Sequence, residues 1–186
     1  MNSVIGDLVL RPLNSDDFNE FFLLIDRNRL RLRDFFPLTI SVVTSREKAK
    51  AYVEQRMRQA VKKEFFSFVL TDRGGKLQGY ISLKNFDWEV PKCELAYFID
   101  GAYEGKGIMT NAMAAIVGYC FDTLRMNKLY LTTAVDNHSS RRMVEKNGFE
   151  VEGVLRKDFK HSSGKLVDMA YYGLVRRENN HIDPIV

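Results

Sequence analysis

Alternation of apolar and polar residues predicts strands over much of the chain. A tight Arg-Gly-Gly-Lys turn at 73–76 joins two of these strands as a hairpin, and a Ser-Ser-Gly-Lys turn joins the last two. The predicted strands are LVLRPL from Leu8, FFSFVL from Phe65, LQGYISLKNF from Leu77, Cys93 to Asp100, Lys128 to Val135, 150–159 and 166–175.

Apolar residues recur at helical spacing between these strands. Thr44 and Glu47 form a capping-box pattern before the longest of these stretches, which carries Val53, Met57 and Val61 on its apolar side. The predicted helices are one after the capping residues Asn14–Asp17, one from about Ser45 to Lys63, one along Met109, Met113, Ile116, Cys120 and Leu124, and one from 137–140 to a stop at Gly148.

The order of these elements predicts an α/β fold. Two helices follow the first strand, an antiparallel run comes next, and β-α-β-α-β-β closes the order. A chain of 186 residues suits one domain. We therefore expect one domain over residues 1–186 with a mixed sheet, and a polar tail that frays over about 177–186.

Composition narrows the class of protein only slightly. Lys plus Arg is 28 and Asp plus Glu is 24, which indicates a mixed charged surface rather than a dedicated nucleic-acid surface. The basic run Arg27 to Arg33 is interpreted as a solvated helix face in preference to a guide for an acidic acceptor. Cys93 and Cys120 lie in apolar runs without a CxxC pattern, so free thiols in a reducing compartment are expected.

The beginning of the chain lacks a signal-peptide pattern, and no apolar run suits a membrane span. These patterns, together with the free thiols, predict a cytoplasmic protein that binds no membrane.

Two glycines stand where the strand CELAYFID leads through GAYEGKGI into a helix. The first amides of a helix have no intrahelical partners and carry partial positive charge, which suits an anion and above all a phosphate. Gly105 and Gly107 let backbone amides converge without Cβ interference, and Lys106 adds a positive charge. The alternative is a plain tight turn between strand and helix.

Two familiar phosphate-binding patterns do not fit this stretch. A Walker P-loop needs GxxxxGK[ST], and Lys106 stands in the wrong place for it. A dinucleotide-binding fingerprint needs a third small residue where Thr110 stands, and it belongs in an opening βαβ unit.

A third phosphate-binding pattern does fit. Tyr-Glu-Gly-Lys-Gly-Ile at the end of a strand resembles the coenzyme A loop of the GNAT N-acetyltransferases. The family pattern falls on Glu104, Gly107 and Met109, where the family has Gln or Arg, Gly, and a small residue. Glu104 and Met109 therefore depart from it.

A second motif supports this resemblance. DNHSSRRMVEKNGF is similar to the family's second motif, and LRPL, ELAYFI and EGVLR stand in the expected order. The matching residues of the second motif are Asn137, Ser140, Lys146, Gly148 and Phe149. The resemblance covers about residues 7 to 177 and points to the branch of ribosomal-protein N-terminal acetyltransferases.

The resemblance implies a particular sheet and a particular coenzyme site. It implies a single GNAT-like domain with a mixed, mostly antiparallel, twisted sheet, helices on both faces, and two strands splayed apart where the pantetheine arm lies. Backbone groups of Phe98 and Ile99 would hold that arm, and one N–H would polarise the thioester oxygen. The implied coenzyme-binding residues are Phe98, Ile99, Glu104, Gly105, Lys106, Gly107, Ile108, Met109, Thr110 and Asn137.

Acetyl transfer to an amine needs a neutral amine and a stabilised leaving thiolate. Glu94, on the coenzyme strand, is the first candidate for the base, and Asp168 is the second. Ser140 would hydrogen-bond the departing sulfur, or it simply caps a helix, and Asn137 would bond the pantetheine amide or act as a cap. A tyrosine acid found in many relatives is replaced near Val144, which makes Ser140 more important.

The predicted function is acetyl transfer from acetyl-CoA to a primary amine by direct transfer in a ternary complex. The acceptor is expected to be a protein N-terminal α-amine, ribosomal-protein-like, or a small-molecule amine. The alternatives are a non-catalytic acyl-CoA sensor and, less favoured, a dinucleotide-dependent oxidoreductase. No metal is predicted, since the histidines have no metal-ligand spacing. A homodimer is usual among relatives, and acceptor specificity is expected in loops 27–44 and 84–92.

Overall fold

The computed structural model describes residues 1–176, so the tail predicted to fray, 177–186, lies outside the described residues. The strands are β1 (Ser3–Ile5), β2 (Leu8–Pro12), β3 (Phe66–Thr71), β4 (Leu77–Asp87), β5 (Lys92–Ile99), β6 (Lys128–Ala134), β7 (Glu150–Lys160) and β8 (Leu166–Val175). The α-helices are α1 (Phe18–Arg27), α2 (Arg29–Leu32), α3 (Pro37–Val42), α4 (Arg46–Val61), α5 (Ile108–Gly118) and α6 (His138–Lys146).

All these strands join in one sheet, in the order β1-β2-β3-β4-β5-β6-β8-β7. Every neighbouring pair is antiparallel except β5 and β6, which run parallel. The predicted mixed, mostly antiparallel sheet is therefore confirmed.

The parallel pair separates after three residues. Lys92, Cys93 and Glu94 pair with residues 128–130 of β6, and the described pairing stops there. The rest of β5, Leu95–Ile99, keeps its pairing with β4, and no strand within residues 1–176 pairs with its other side. This is the predicted splay, and Glu94 lies at its apex.

Helices cover both faces of the sheet, as predicted. α5 and α6 pack on one face, where Met113, Ile116 and Val144 bury against β5 and β6. α1 and α4 pack on the other face, where Phe21 and Tyr52 stack at 5.4 Å. The alternation of a strand sends neighbouring residues of β5 into different cores.

Three local predictions were wrong. The strand β1 was missed because three residues are too short to show alternation, and Gly6, with a φ of 60°, turns it back onto β2. The cap of α4 is Ser45 rather than Thr44, since the Ser45 hydroxyl accepts from the Lys48 amide at 3.3 Å. Val61 and Met57, which were expected on the apolar side of α4, are 86% and 36% exposed.

The region 27–44 was expected to be a loop, yet it carries the short helices α2 and α3. Cys93 and Cys120 are buried free cysteines, as expected. Among residues 1–176, the helices are all too short or too polar to cross a bilayer.

Candidate active site

The start of α5 presents backbone N–H groups without partners. We call this segment, residues 105–110, the mouth of α5. Gly107 caps the helix without a side-chain bond, and the first helical bond runs from the Asn111 amide to the Gly107 carbonyl at 3.1 Å. Within the described part of the chain, the backbone N–H groups of residues 105–110 donate to no protein acceptor. Because unpaired amides at a helix start attract anions, this mouth can hold a phosphate.

Glycine is needed at this mouth for its conformation. Gly105 and Gly107 have φ values of 72° and 73°, in the left-handed region that other residues rarely adopt. An added Cβ at either position would meet no atom of the described residues within 4 Å. The sequence argument expected glycine to avoid Cβ interference, and the structure gives the positive φ as the reason instead. The mouth itself is exposed to solvent.

Each charged residue of the loop has a partner. The Glu104 carboxylate forms an ion pair with the Arg31 guanidinium of α2. The Lys106 ammonium lies 5.0 Å from the centroid of the Tyr103 ring, which holds it at the rim of the mouth. The Glu104 charge is therefore balanced by a residue 73 positions earlier, so the departure from the family pattern carries its own compensation.

Arg27 and Arg29 of the basic run make structural contacts, so the interpretation as a solvated helix face was wrong for these two residues, whereas Arg33 is exposed as expected. Arg27 pairs with Asp100 at the end of β5. Arg29 donates to the Ile40 and Val43 carbonyls at 3.1 and 2.9 Å. These bonds anchor α2 and α3 and fix the start of the loop that leads from β5 into α5.

Met109, the second departure from the family pattern, turns its side chain away from the mouth. It is 8% exposed and packs in the core between α5 and the sheet. Only its backbone N–H contributes to the mouth, so side-chain size at this position has no direct effect on an anion bound there.

The unpaired edge of β5 carries backbone groups that face the gap between β5 and β6, where the two strands have separated. The Asp100 amide donates to the Gln78 carbonyl of the β4 edge at 2.7 Å, and Phe98 is opposite Tyr80 in the same register. Because backbone groups alternate along a strand, Phe98 faces β4 while Tyr97 and Ile99 face the gap. This alternation favours Ile99 over Phe98 as the residue that would hold an extended ligand.

Glu94 lies at the apex of the splay with both carboxylate oxygens engaged. Lys84 Nζ lies 3.0 Å from its Oε1, and Asn85 Nδ2 donates to its Oε2 at 2.6 Å. Its side chain is only 16% exposed. Glu94 is opposite Tyr130 in the parallel pair, at the last position before the strands part.

Ser140 and Tyr97 meet across the splay. The Ser140 hydroxyl and the Tyr97 hydroxyl lie 2.6 Å apart, which connects α6 to β5. Burial raises the pKa of Tyr97 to about 12 against an opposing effect of the Ser140 bond, so Tyr97 stays protonated near neutral pH. The cap of α6 is Asn137, whose Oδ1 accepts from the Ser140 amide at 3.1 Å.

Sequence reasoning considered Ser140 as a helix cap, and the structure leaves the Ser140 hydroxyl free for the Tyr97 bond instead. Tyr97 was missed altogether. The alternation of ELAYFI could have found it, since Tyr97 shares the α5–α6 face with Leu95. The capping amide bond engages the Asn137 side-chain oxygen.

Asp168 stabilises the pairing of β7 with β8. Its Oδ1 accepts from the Lys157 amide at 2.8 Å, where β7 bulges and Lys157 takes a φ of 55°. Its carbonyl pairs with the Val135 amide, five positions along the chain from Tyr130, or about 16 Å at the rise of a strand. The two candidate bases therefore lie apart, and Glu94 is the one at the apex of the splay.

Among residues 1–176, no group of three or more His, Cys, Asp and Glu side chains is arranged to hold a metal ion.

Comparison with known proteins agrees with this geometry. A family model described as an acetyltransferase (GNAT) domain matches residues 7–150. A Bacillus subtilis (strain 168) protein, YdaF, provisionally named a ribosomal N-acetyltransferase, is 40% identical over 104 residues, which is 56% of this chain and 56% of YdaF. That alignment thus spans little more than half of either protein.

Solved structures share the fold over nearly the whole chain. The ribosomal-protein-S5-alanine acetyltransferase of Vibrio fischeri has a TM-score of 0.90 at 21% identity, covering 96% of this chain and 98% of that one. RimL, a ribosomal L7/L12 alpha-N-protein acetyltransferase in complex with coenzyme A, has a TM-score of 0.85 at 18% identity, covering 94% and 98%. The chain belongs to the GNAT family of acetyl-CoA-dependent N-acetyltransferases.

The residues present fit coenzyme A. The free amides at residues 105–110 suit its diphosphate. The unpaired edge Leu95–Ile99 extends over roughly 15 Å, a length that an extended pantetheine arm can follow. At both places the groups that would contact coenzyme A are backbone atoms.

Proposed function

We propose that this protein transfers the acetyl group of acetyl-CoA to the α-amine of a protein N-terminus, with both substrates bound together. The observation that carries the proposal is the alignment of three features along β5. The free amides of residues 105–110 follow its end, an unpaired edge runs along Leu95–Ile99, and Glu94 stands at the apex of the splay.

The chemistry of Glu94 favours an α-amine acceptor. The ordinary pKa of an α-amine is about 7.7–8.0, whereas that of a lysine side chain is about 10.4. A carboxylate can remove the proton that the α-amine retains near neutral pH, directly or through a water molecule. A lysine ammonium would require a much stronger base at this position. The names of YdaF and of the Vibrio fischeri enzyme, which concern ribosomal proteins, support the same class of acceptor.

Each residue at the gap has a separate task in this proposal. Backbone N–H groups of Tyr97 and Ile99, which face the gap, are the donors available to the carbonyl oxygen that gains negative charge. Ser140 donates to the leaving sulfur. Tyr97, protonated near neutral pH, donates to Ser140 Oγ and leaves the Ser140 proton available for that bond.

Thiol release from acetyl-CoA tests the proposal across three acceptor classes. The panel contains peptides with free N-termini, the same peptides with blocked N-termini and one lysine, and polyamines or other small amines. We expect thiol release with the free N-terminal peptides and at least about tenfold less with the blocked ones, since lysine stays protonated.

Two outcomes contradict the proposal. Turnover confined to small amines would remove the protein N-terminus as acceptor. Acetyl-CoA binding without thiol release for any acceptor would favour the acyl-CoA sensor. The cytoplasmic location and the homodimer expected from the sequence stay predictions.

A further inference from the structure

The strand β4 contains one extra residue directly after the pair formed by Lys84 and Glu94. Lys84 pairs with Glu94, and Asp87 pairs with Lys92, so three steps on β4 match two steps on β5. This is a β-bulge, a feature that re-aims side chains and is frequent beside active sites. Asn85 lies in the bulge with a φ of 51°, in the left-handed region.

The bulge brings two consecutive side chains to one carboxylate. In a regular strand, neighbouring side chains point to opposite faces of the sheet. Here Lys84 Nζ lies 3.0 Å from Glu94 Oε1, and Asn85 Nδ2 donates to Glu94 Oε2 at 2.6 Å. A two-donor clamp on Glu94 is therefore a consequence of the bulge.

Packing does not explain the residue at position 85. Asn85 is exposed, and its side-chain hydrogen bond is the one to Glu94. Asparagine tolerates the left-handed conformation better than most residues, and it also supplies an amide donor. Glycine would meet only the first requirement, and glutamine would supply the amide but tolerates this conformation less well.

We propose that Asn85 is a positioning residue for Glu94, and that Lys84 completes the clamp. This inference rests on the proposed role of Glu94 as the base. The two donors fix the plane of the carboxylate, and each oxygen keeps a further lone pair for the acceptor amine or a bridging water. A base held in this way meets the acceptor in a constant geometry.

Other groups face Glu94 from the neighbouring strands. Burial raises the pKa of the Tyr130 hydroxyl on β6, and the Glu94 charge raises it further. Burial also raises the pKa of the Tyr171 hydroxyl on β8, with added contributions from Asp158 and then Glu94. Both phenols are neutral near pH 7, so Lys84 is the charged group of this set that bonds Glu94.

Variants at position 85 separate positioning from folding. Asn85→Gly keeps access to the left-handed conformation and removes the amide. We expect it to retain the melting temperature, to lower kcat by about 10- to 100-fold, and to leave KM for acetyl-CoA unchanged. Asn85→Asp has nearly the same shape but places a second carboxylate beside Glu94.

The pH profile of kcat/KM distinguishes a positioning role from a purely structural one, because a structural role would leave the profile unchanged. Two carboxylates at hydrogen-bond distance resist joint ionisation, so Asn85→Asp should move the acidic limb of kcat/KM upward by about one pH unit. Lys84→Gln should move it in the same direction. Lys92→Gln is the matched control, because Lys92 pairs with Asp87 at 3.5 Å and should leave the limb in place.

The outcomes distinguish this inference from the proposed function. If Glu94→Gln is inactive while Asn85→Gly and Asn85→Asp keep the wild-type kcat and pH profile, the clamp is overturned and the base remains. If Glu94→Gln keeps the wild-type kcat, the base assignment itself is overturned. If the kcat of Asn85→Asp at high pH stays as low as that of Asn85→Gly, the clamp is supported, because two ionised carboxylates cannot donate to each other.

Discussion

The mouth of α5 and the apex of the splay are the two ends of the candidate site, and they use different parts of the polypeptide. The mouth consists of backbone amides around Gly105 and Gly107. The apex consists of side chains, with Glu94 held by Lys84 and Asn85. One end depends on the path of the chain, and the other on the identity of particular residues.

This difference separates the two departures from the family pattern from the backbone amides of the mouth. Glu104 is paired with Arg31, and Met109 is buried, so neither alters the amides of the mouth. No comparable substitution is expected to be silent at the apex, where each oxygen of Glu94 has its own donor. Substitutions at the two ends should therefore affect different kinetic constants.

The largest effect is expected at the apex. Glu94→Gln removes the base while keeping a similar shape, and should lower kcat by about 10²–10⁴-fold. Acetyl-CoA affinity, measured by calorimetry, should change little because the mouth is untouched. A kcat close to that of the wild type would remove Glu94 from the chemistry.

A smaller loss is expected at the pair between Ser140 and Tyr97. Ser140→Ala should lower kcat by about 10- to 100-fold, since a hydrogen bond to a developing charge contributes about 1.5–3 kcal/mol. Ser139→Ala, at the adjacent exposed position, is the matched control.

Tyr97→Phe should add little on top of Ser140→Ala, because both substitutions break the same hydrogen bond. Full additivity of the two losses in single-turnover kinetics would show that the residues act independently.

At the mouth, we expect the affinity for acetyl-CoA to depend on backbone conformation. Gly107→Ala forces a Cβ into the left-handed region at a cost of about 1–2 kcal/mol, so KM for acetyl-CoA should rise about tenfold with kcat nearly unchanged. Gly153→Ala is the matched control, since Gly153 has no positive φ and an added Cβ there would meet no described atom within 4 Å. Equal effects of the two variants would contradict the conformational explanation.

The smallest effect is expected from the ion pair beside the mouth. Arg31→Gln leaves the Glu104 carboxylate uncompensated near the bound anion and should weaken coenzyme A binding about two- to fivefold, because both groups are partly exposed. The double variant with Glu104→Gln should recover wild-type affinity. Arg33→Gln, on the same basic run and exposed, is the control. A double variant as weak as Arg31→Gln alone would contradict charge compensation.

Features that depend on a local sequence pattern could be predicted from the sequence alone. The glycines at 105 and 107, the strand that leads into them and the capping residue Asn137 are read from neighbouring positions. The family resemblance then predicted the splay between β5 and β6, which the strand register confirms.

Contacts between distant segments could not be read in the same way. Arg31 and Glu104 are 73 residues apart, and Tyr97 and Ser140 are 43 apart. The clamp on Glu94 needs both the β4–β5 register and a bulge, which a run of alternating residues does not reveal. The basic run reads as solvated in the sequence because its acceptors, such as Asp100 and the Val43 carbonyl, lie elsewhere in the chain.

The most direct test follows the backbone amides themselves by ¹H–¹⁵N NMR. Coenzyme A should shift the resonances of residues 105–110, whereas pantetheine, which lacks the diphosphate, should shift those of Tyr97 and Ile99 and leave 105–110 in place. If coenzyme A binds and the resonances of residues 105–110 stay unshifted, backbone recognition of the diphosphate is contradicted.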